Sequence, residues 1–192
     1  MRRRRPPVCR TLVSSAPRAL SAIFNTIGGL PVPRGVGGSG GRLSAGTEVR
    51  IRRAAAADAG ALADVRIPIR RAAYRGIGDP AYLERLSREL PQRTERWARH
   101  LTSGDDEATL VADTRSDGIV GFVRGGDARP PHVGARGEIG AICLRRPYRG
   151  RGLGRPLAGS LAHDLGAIGA ASAVVGVLSD KPARRLCEAI GG

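Results

Sequence analysis

The sequence predicts an α/β (α+β) domain at 48–192, one mixed central sheet flanked by helices, behind a disordered extension at 1–47. Three observations predict it. The chain changes character at Glu48, its first acidic residue: 1–47 hold eight arginines and no carboxylate, and eight glycines and two prolines make up half of 28–47. Such composition buries too little apolar surface to offset chain entropy. Beyond Glu48 the apolar residues alternate between period two and helical spacing, the pattern of mixed strands and helices. Finally, a strand apolar on both faces, and so central in a sheet, feeds a strongly amphipathic helix through a glycine- and arginine-rich turn.

The elements follow in order. Val49, Arg50, Ile51 and Arg52 alternate as a short strand. Asp58 is a helix cap after an alanine run, and Leu62, Val65, Ile69, Ala72, Ala73 and Ile77 form the helical stripe behind it, with a kink predicted at Pro68. Asp79 and Pro80 start a second helix, a cap followed by proline at the first helical position. Leu83, Leu86 and Leu90 give it an apolar face, and Leu90, Thr94, Trp97 and Leu101 continue a stripe beyond Pro91. Residues 108–112 and 119–123 are strands joined at Ser116, Asp117 and Gly118, a hairpin turn. Residues 125–135 read as a Gly/Pro loop, and 138–144 as the central strand. Leu153, Leu157, Leu161, Leu165 and Ile168 mark the next helix, 173–178 a strand, and 182–190 a final short helix.

Composition excludes several classes. The 192 residues carry a formal charge of +15, with 31 arginines, one lysine and 3% aromatics. There is no run of 18 apolar residues and hence no transmembrane helix. Cys9, Cys143 and Cys187 are too few and too scattered for a disulfide scaffold or a structural metal site, which fits a reducing, cytoplasmic location. Three readings of 1–47 stay open: a basic arm for nucleic acid or anionic lipid, a targeting segment, or an inert extension.

The stretch 144–155 carries the chemistry. Glycines at 150, 152 and 154 allow close backbone approach to a ligand, five arginines lie between 145 and 155, and the start of a helix favours an anion. The physical reading is a pyrophosphate-binding turn; the plainer one is a glycine-rich turn with solvated arginines. Gly154, Arg155 and Pro156 do not match a P-loop, and a dinucleotide fingerprint would need glycine where Arg155 stands.

Arg149, Gly150, Arg151, Gly152, Leu153 and Gly154 resemble the acyl-CoA-binding motif of the GNAT superfamily, the CoA-dependent N-acyltransferases. The resemblance extends over roughly 49–192: through the opening at Val49 and Asp58, the helix ending around Tyr74, the Tyr82 and Trp97 region, Gly137, Glu138 and Ile139 at a strand start, and 177–191 near the end. It implies a GNAT-like sheet whose fourth and fifth strands splay apart. Pantetheine would pair with the backbone of Ile142, Cys143 and Leu144, and pyrophosphate would sit on the amides of 149–154. It implies acetyl-CoA as co-substrate, no metal, and direct attack by the amine of a small molecule or protein. Glu138 is the candidate base, with His132 in the preceding loop as its substitute; Glu138 as an exposed strand-end charge is the plainer reading. His100 and His163 are expected on helix surfaces. Cys187 stands where the family often has a tyrosine acid, and is either a proton donor or a small buried apolar group. A family asparagine falls at Asp180 or Lys181.

The chain stops before the family's last two strands. Residues 173–178 are therefore expected to be an exposed edge, with a homodimer forming through it and an acceptor site open to water. The alternatives are a weak or inactive CoA-binding GNAT-like protein and a basic nucleic-acid-binding protein. The latter is disfavoured because no recognisable nucleic-acid module accompanies the charge.

Overall fold

The structure, a computed structural model, describes residues 8–14, 40–42, 48–75, 79–103, 107–132, 135–170, 172–178 and 186. Among the described residues seven strands form one sheet: β1 (Val8–Ser14), β2 (Gly40–Arg42), β3 (Glu48–Arg53), β4 (Ala108–Thr114), β5 (Gly118–His132), β6 (Ala135–Leu144) and β7 (Ser172–Leu178). Their order across the sheet is β1-β7-β6-β5-β4-β3-β2, antiparallel throughout except for the parallel pair β6–β7. The helices are α1 (Ala59–Tyr74), α2 (Pro80–Arg88), α3 (Leu90–Thr102) and α4 (Gly154–Ala167).

One face of the sheet is covered by α4. Leu157, Leu161 and Leu165 are fully buried there against Leu110, Val120, Val123 and Ile139, each worth about 1.5–3 kcal/mol of apolar burial. The other face is covered by α1 and α3, where Leu62, Val65 and Trp97 meet Val111, Phe122 and Cys143. Strand alternation sends successive residues to opposite faces, so Phe122 packs on one side and Val123 on the other. Trp97 stands edge-on to Phe122, with ring centroids 5.3 Å apart.

Local signals explain most boundaries. Asp79 accepts from the Ala81 N–H at 3.0 Å and caps α2. Asp58 holds the position before α1 without capping it. Its carboxylate turns back to accept from the Ala55 N–H at 2.7 Å and from the Arg52 guanidinium at 2.7 and 3.0 Å. The α1 helix runs through Pro68, which lies on its exposed side with Asp64 one turn before it. The Asp64 carbonyl, deprived of an N–H partner, thus faces water. Gly118 closes the β4–β5 turn at φ 60°.

Three expectations are corrected. Residues 125–135 are not a loop: β5 runs on to His132 and β6 begins at Ala135, one hairpin in which Gly125, Gly126 and Asp127 pair with Ile139, Glu138 and Gly137. Glycine and proline composition suggested a break, but the small residues serve close strand approach instead. A Cβ on Gly125 would lie 2.3 Å from the Glu138 carbonyl oxygen. Next, 8–14 and 40–42, inside the extension expected to be disordered, are strands. Last, the expected open edge at β7 is occupied: β1 pairs with it antiparallel through seven residue pairs, from Val8↔Leu178 to Ser14↔Ser172. An unpaired edge is a template for another strand, and this chain supplies its own. The structural basis for dimerisation through that edge is thereby removed. The predicted helix at 182–190 lies outside the described residues apart from Leu186.

Candidate functional site: a parted strand pair, a glycine turn and a charged cavity

The site begins where β6 and β7 separate. They pair only at Gly137↔Ala173, Glu138↔Val174 and Ile139↔Val175. Beyond Ile139 the β7-facing backbone of β6 has no strand partner among the described residues. The same point carries a bulge toward β5, because Arg124 pairs with Ala141 while Gly125 pairs with Ile139. Gly140 is the extra residue. A bulge of this kind re-aims the residues around it, and here both Glu138 and Gly140 line the cavity on the α1 side.

Of the predicted pantetheine-binding residues, Cys143 is buried on the α1 face, and Ile142 and Leu144 are partly buried against the α4-side core. Burial pushes the Cys143 thiol up to about 11, so it stays protonated at neutral pH. The Leu144 carbonyl already accepts from Arg149 Nε at 2.9 Å.

The turn follows a short 3-10 helix, Arg146–Tyr148. Gly150 and Gly152 have φ of 73° and 83°, and open space surrounds the position of a Cβ at each. Positive φ is why glycine stands at both. Leu153 is buried and anchors the turn. Gly154 begins α4 under Leu186, whose Cδ2 would lie 2.8 Å from a Cβ there. No side chain caps α4 and no acidic residue occupies its first turn. Among the described residues its leading N–H groups and positive dipole end therefore meet no acidic side chain of the helix itself. Arg149 and Arg151 are exposed, and the Arg151 guanidinium lies 5.7 Å from the Tyr148 ring centroid. The Tyr148 hydroxyl donates to Asp117 in the β4–β5 turn, which raises the phenol pKa. The Arg145 N–H donates to the Val120 carbonyl at 2.8 Å. These two bonds hold the turn against the sheet.

On the α1 face lies a cavity of about 170 Å³, lined by Arg66, Glu107, Arg124, Asp127, Glu138 and Gly140 among others. Arg124 Nε donates to Glu107 at 2.8 Å, with a second Arg124 donor on the same carboxylate oxygen. His100 Nε2 is 3.4 Å from that carboxylate, so His100 is an inward-facing residue, contrary to the expected surface position. His163 is exposed, as expected. Asp127 pairs with Arg136 at 3.5 Å. His132 ends β5, its backbone paired with Ala135, and is not a loop residue. Cys187, Asp180 and Lys181 lie outside the described residues.

Arg66, Arg124, Glu107 and Asp127 were not singled out in the sequence. Arg66 carried a signal, standing four residues after Leu62 on the buried stripe of α1. The other three converge only through the β5–β6 hairpin.

A mixed sheet that parts beside a glycine turn and a following helix can be compared with known folds. A protein described as a GCN5-related N-acetyltransferase from Ralstonia eutropha superposes with TM-score 0.59 at 18% identity, over 75% of this chain and 92% of that one. The chain has the GNAT fold. A protein from Desulfovibrio desulfuricans described as a putative acetyltransferase of the GNAT family superposes on the GNAT-fold chain with TM-score 0.50 at 22% identity, covering 73% and 82%. A ribosomal-protein-alanine N-acetyltransferase from Brucella melitensis biovar Abortus gives TM-score 0.50 at 24% identity, covering 75% and 91%. Residues 132–192 match the family model of FR47-like proteins. No curated protein is significantly similar in sequence. The GNAT resemblance read from the motif thus holds at the level of fold. Among the described residues no helix is long and apolar enough to cross a membrane, and no group of His, Cys, Asp and Glu could hold a metal ion.

Proposed function

We propose that the chain is an N-acyltransferase that moves an acetyl group from acetyl-CoA to a primary amine. The observation that carries this reading is the parting of β6 and β7 after Ile139, with the bulge at Gly140 on one side and the uncapped glycine turn at the end of β6. The described residues suit such a ligand: among them, a backbone edge without a partner strand, two positive-φ glycines with open space above them, and a helix start with no acidic residue in its first turn.

Acyl-CoA supplies the activated thioester, and the chain's residues bind, orient and move protons. The amides of 150–154 and the α4 dipole hold pyrophosphate, with Arg149 and Arg151 flanking it. The freed edge of β6 pairs with the pantetheine amides. The amine enters from the cavity on the α1 face, where Glu138 takes a proton from its ammonium form, directly or through water, because only the free lone pair can attack carbon. As the N–C bond forms and the C–S bond breaks, the second nitrogen-bound proton ends on sulfur. One proton is released per turnover, through Glu138.

The test is calorimetric titration of the full chain with acetyl-CoA, together with release of free CoA thiol in the presence of simple amines. Saturable binding that is lost in Gly152→Asp, with the fold intact by circular dichroism, is expected. Undiminished affinity in that variant, or no binding by the wild type, overturns the reading.

A further inference from the structure

Of the two arginines that line the cavity among the described residues, Arg124 meets a carboxylate and Arg66 does not. Arg66 projects from α1 into it with its guanidinium carbon 5.7 Å from the Trp97 ring centroid. Among the described residues no hydrogen bond or ion pair is made by Arg66, and its ring contact is with Trp97. A guanidinium carries five N–H donors in a rigid fork, and Arg66, half-buried, lines the cavity with them. Burial, first of all, disfavours the cation here, and the neighbouring Arg70 on α1 and Arg124 on β5 disfavour it further; a thiolate at Cys143 on β6, second in size, would oppose this, as would a phenolate at Tyr82 on α2. The other charges of the cavity are committed. Arg124 and His100 share Glu107, and Asp127 has Arg136. Glu138 lies on β6 beside the bulge. Among the described residues the cavity therefore presents, at its α1 side, a planar cation that meets no carboxylate, and at its β6 side Glu138, which has an interaction of its own.

We propose that Arg66 receives a carboxylate of the acceptor, so that the acceptor class is a small zwitterion, a primary amine and a carboxylate in one amino-acid-like molecule. This rests on the acyltransferase reading above and adds the substrate class to it. The guanidinium fork matches a carboxylate bidentately. With the carboxylate fixed there, the ammonium end turns toward Glu138, the group that must deprotonate it. A simple amine would leave the Arg66 donors unmet, and this is the kind of site that discriminates by polar pairing.

The experiment has two readouts. Trp97 is the chain's only tryptophan and lies against Arg66, so its fluorescence reports occupancy of the site without acetyl-CoA. Titration with amino acids should give a saturable change. The amines formed by removing their carboxylate should give none, and aminophosphonates of matched length separate a carboxylate site from a general anion site. In acetyl transfer, amino acids should exceed the matching amines in kcat/KM by roughly 10- to 100-fold, the value of one charge-assisted pair. Arg66→Met should erase that preference through KM with acetyl-CoA affinity unchanged, and Arg66→Lys should restore part of it. Equal response to amines, an undiminished preference in Arg66→Met, or tighter binding of phosphonates than of carboxylates overturns the proposal. Saturable Trp97 quenching by amino acids in a protein that binds no acetyl-CoA would overturn the acyltransferase reading and leave the zwitterion site standing.

Discussion

Arg66 and Arg124 each hold a guanidinium carbon 5.7 Å from the Trp97 ring centroid, yet only Arg124 meets a carboxylate there. The two cations come from different layers, one from α1 and one from β5, and converge over an indole that is itself packed on Phe122. Cation–π contact offsets part of the cost of gathering them, about 0.5–2 kcal/mol each. Glu107 neutralises one. The asymmetry gives the cavity a direction, with a positive side against α1 and carboxylates along the strands.

Gly152 separates backbone strain from ligand repulsion. At φ 83° with open space around a Cβ, Gly152→Ala should cost about 1–2 kcal/mol of stability from the left-handed conformation alone. Gly152→Asn should cost less, because asparagine adopts that region more readily. Gly152→Asp adds a negative charge where pyrophosphate is to sit, and should abolish acetyl-CoA binding while losing no more stability than alanine. Thermal melts and calorimetry on the three variants check this.

Glu138→Gln keeps the shape of the cavity wall and removes the proton acceptor. Turnover should fall by roughly 10²–10⁴-fold, the usual contribution of a general base. Acetyl-CoA affinity should be nearly unchanged and the acidic limb of the pH–rate profile should vanish. Equal losses in binding and rate would instead make Glu138 a structural residue.

The glycine turn and the α4 stripe were legible because each signal is local: leucines at 157, 161 and 165 share a helix face whatever lies elsewhere. The cavity was not legible. Arg124 and Glu138 face it together only once the β5–β6 register and the bulge at Gly140 are known, and both arise from pairing across a hairpin whose middle resembles a loop in composition. Arg66 was hidden for another reason, since an arginine on a helix is ordinarily solvated. The strand at β1 was lost in averaging: 47 residues of arginine, glycine and proline masked a short run of Val, Cys, Thr, Leu and Val with good strand propensity.

Gly125 should prove intolerant of any side chain. A Cβ there would lie 2.3 Å from the Glu138 carbonyl oxygen and 2.9 Å from Leu161 Cδ2. The first contact is with backbone, which cannot step aside without moving the strand that bears Glu138. Gly125→Ala should cost about 1–3 kcal/mol as overpacking, measured by urea unfolding, and should lower turnover along with stability.

The Arg52–Asp58–Asp113 cluster sets an acid limit on stability. Arg52 holds the Asp58 carboxyl below its ordinary value, first through their hydrogen bonds, and also donates to Asp113 at 3.0 Å. A depressed folded pKa contributes stability above the unfolded value that is lost as pH falls through the folded one. Below about pH 4 the melting temperature should therefore drop. Asp58→Asn should lower it at neutral pH and flatten the drop. Identical acid limbs in both proteins would show that the cluster contributes nothing.

Removing residues 1–14 tests whether β1 is part of the sheet. Composition argued that the extension contributes nothing, so that its deletion would leave the melting temperature untouched. The register argues the opposite, because β1 runs the whole length of β7 while β6 pairs with β7 over three residues only. Without β1, most of the backbone N–H and C=O groups of β7 lose their partners, and the apolar strand becomes an edge open to other chains. The truncated protein should melt lower and scatter light as self-associated species at concentrations where the full chain is monodisperse. A synthetic peptide spanning 6–16 should reverse both effects by adding itself to the edge, as strand-addition ligands do, and a scrambled peptide should not. A truncated protein that melts with the full chain and stays monomeric would show that β7 does not depend on β1, and would return the extension to the inert role its composition suggested.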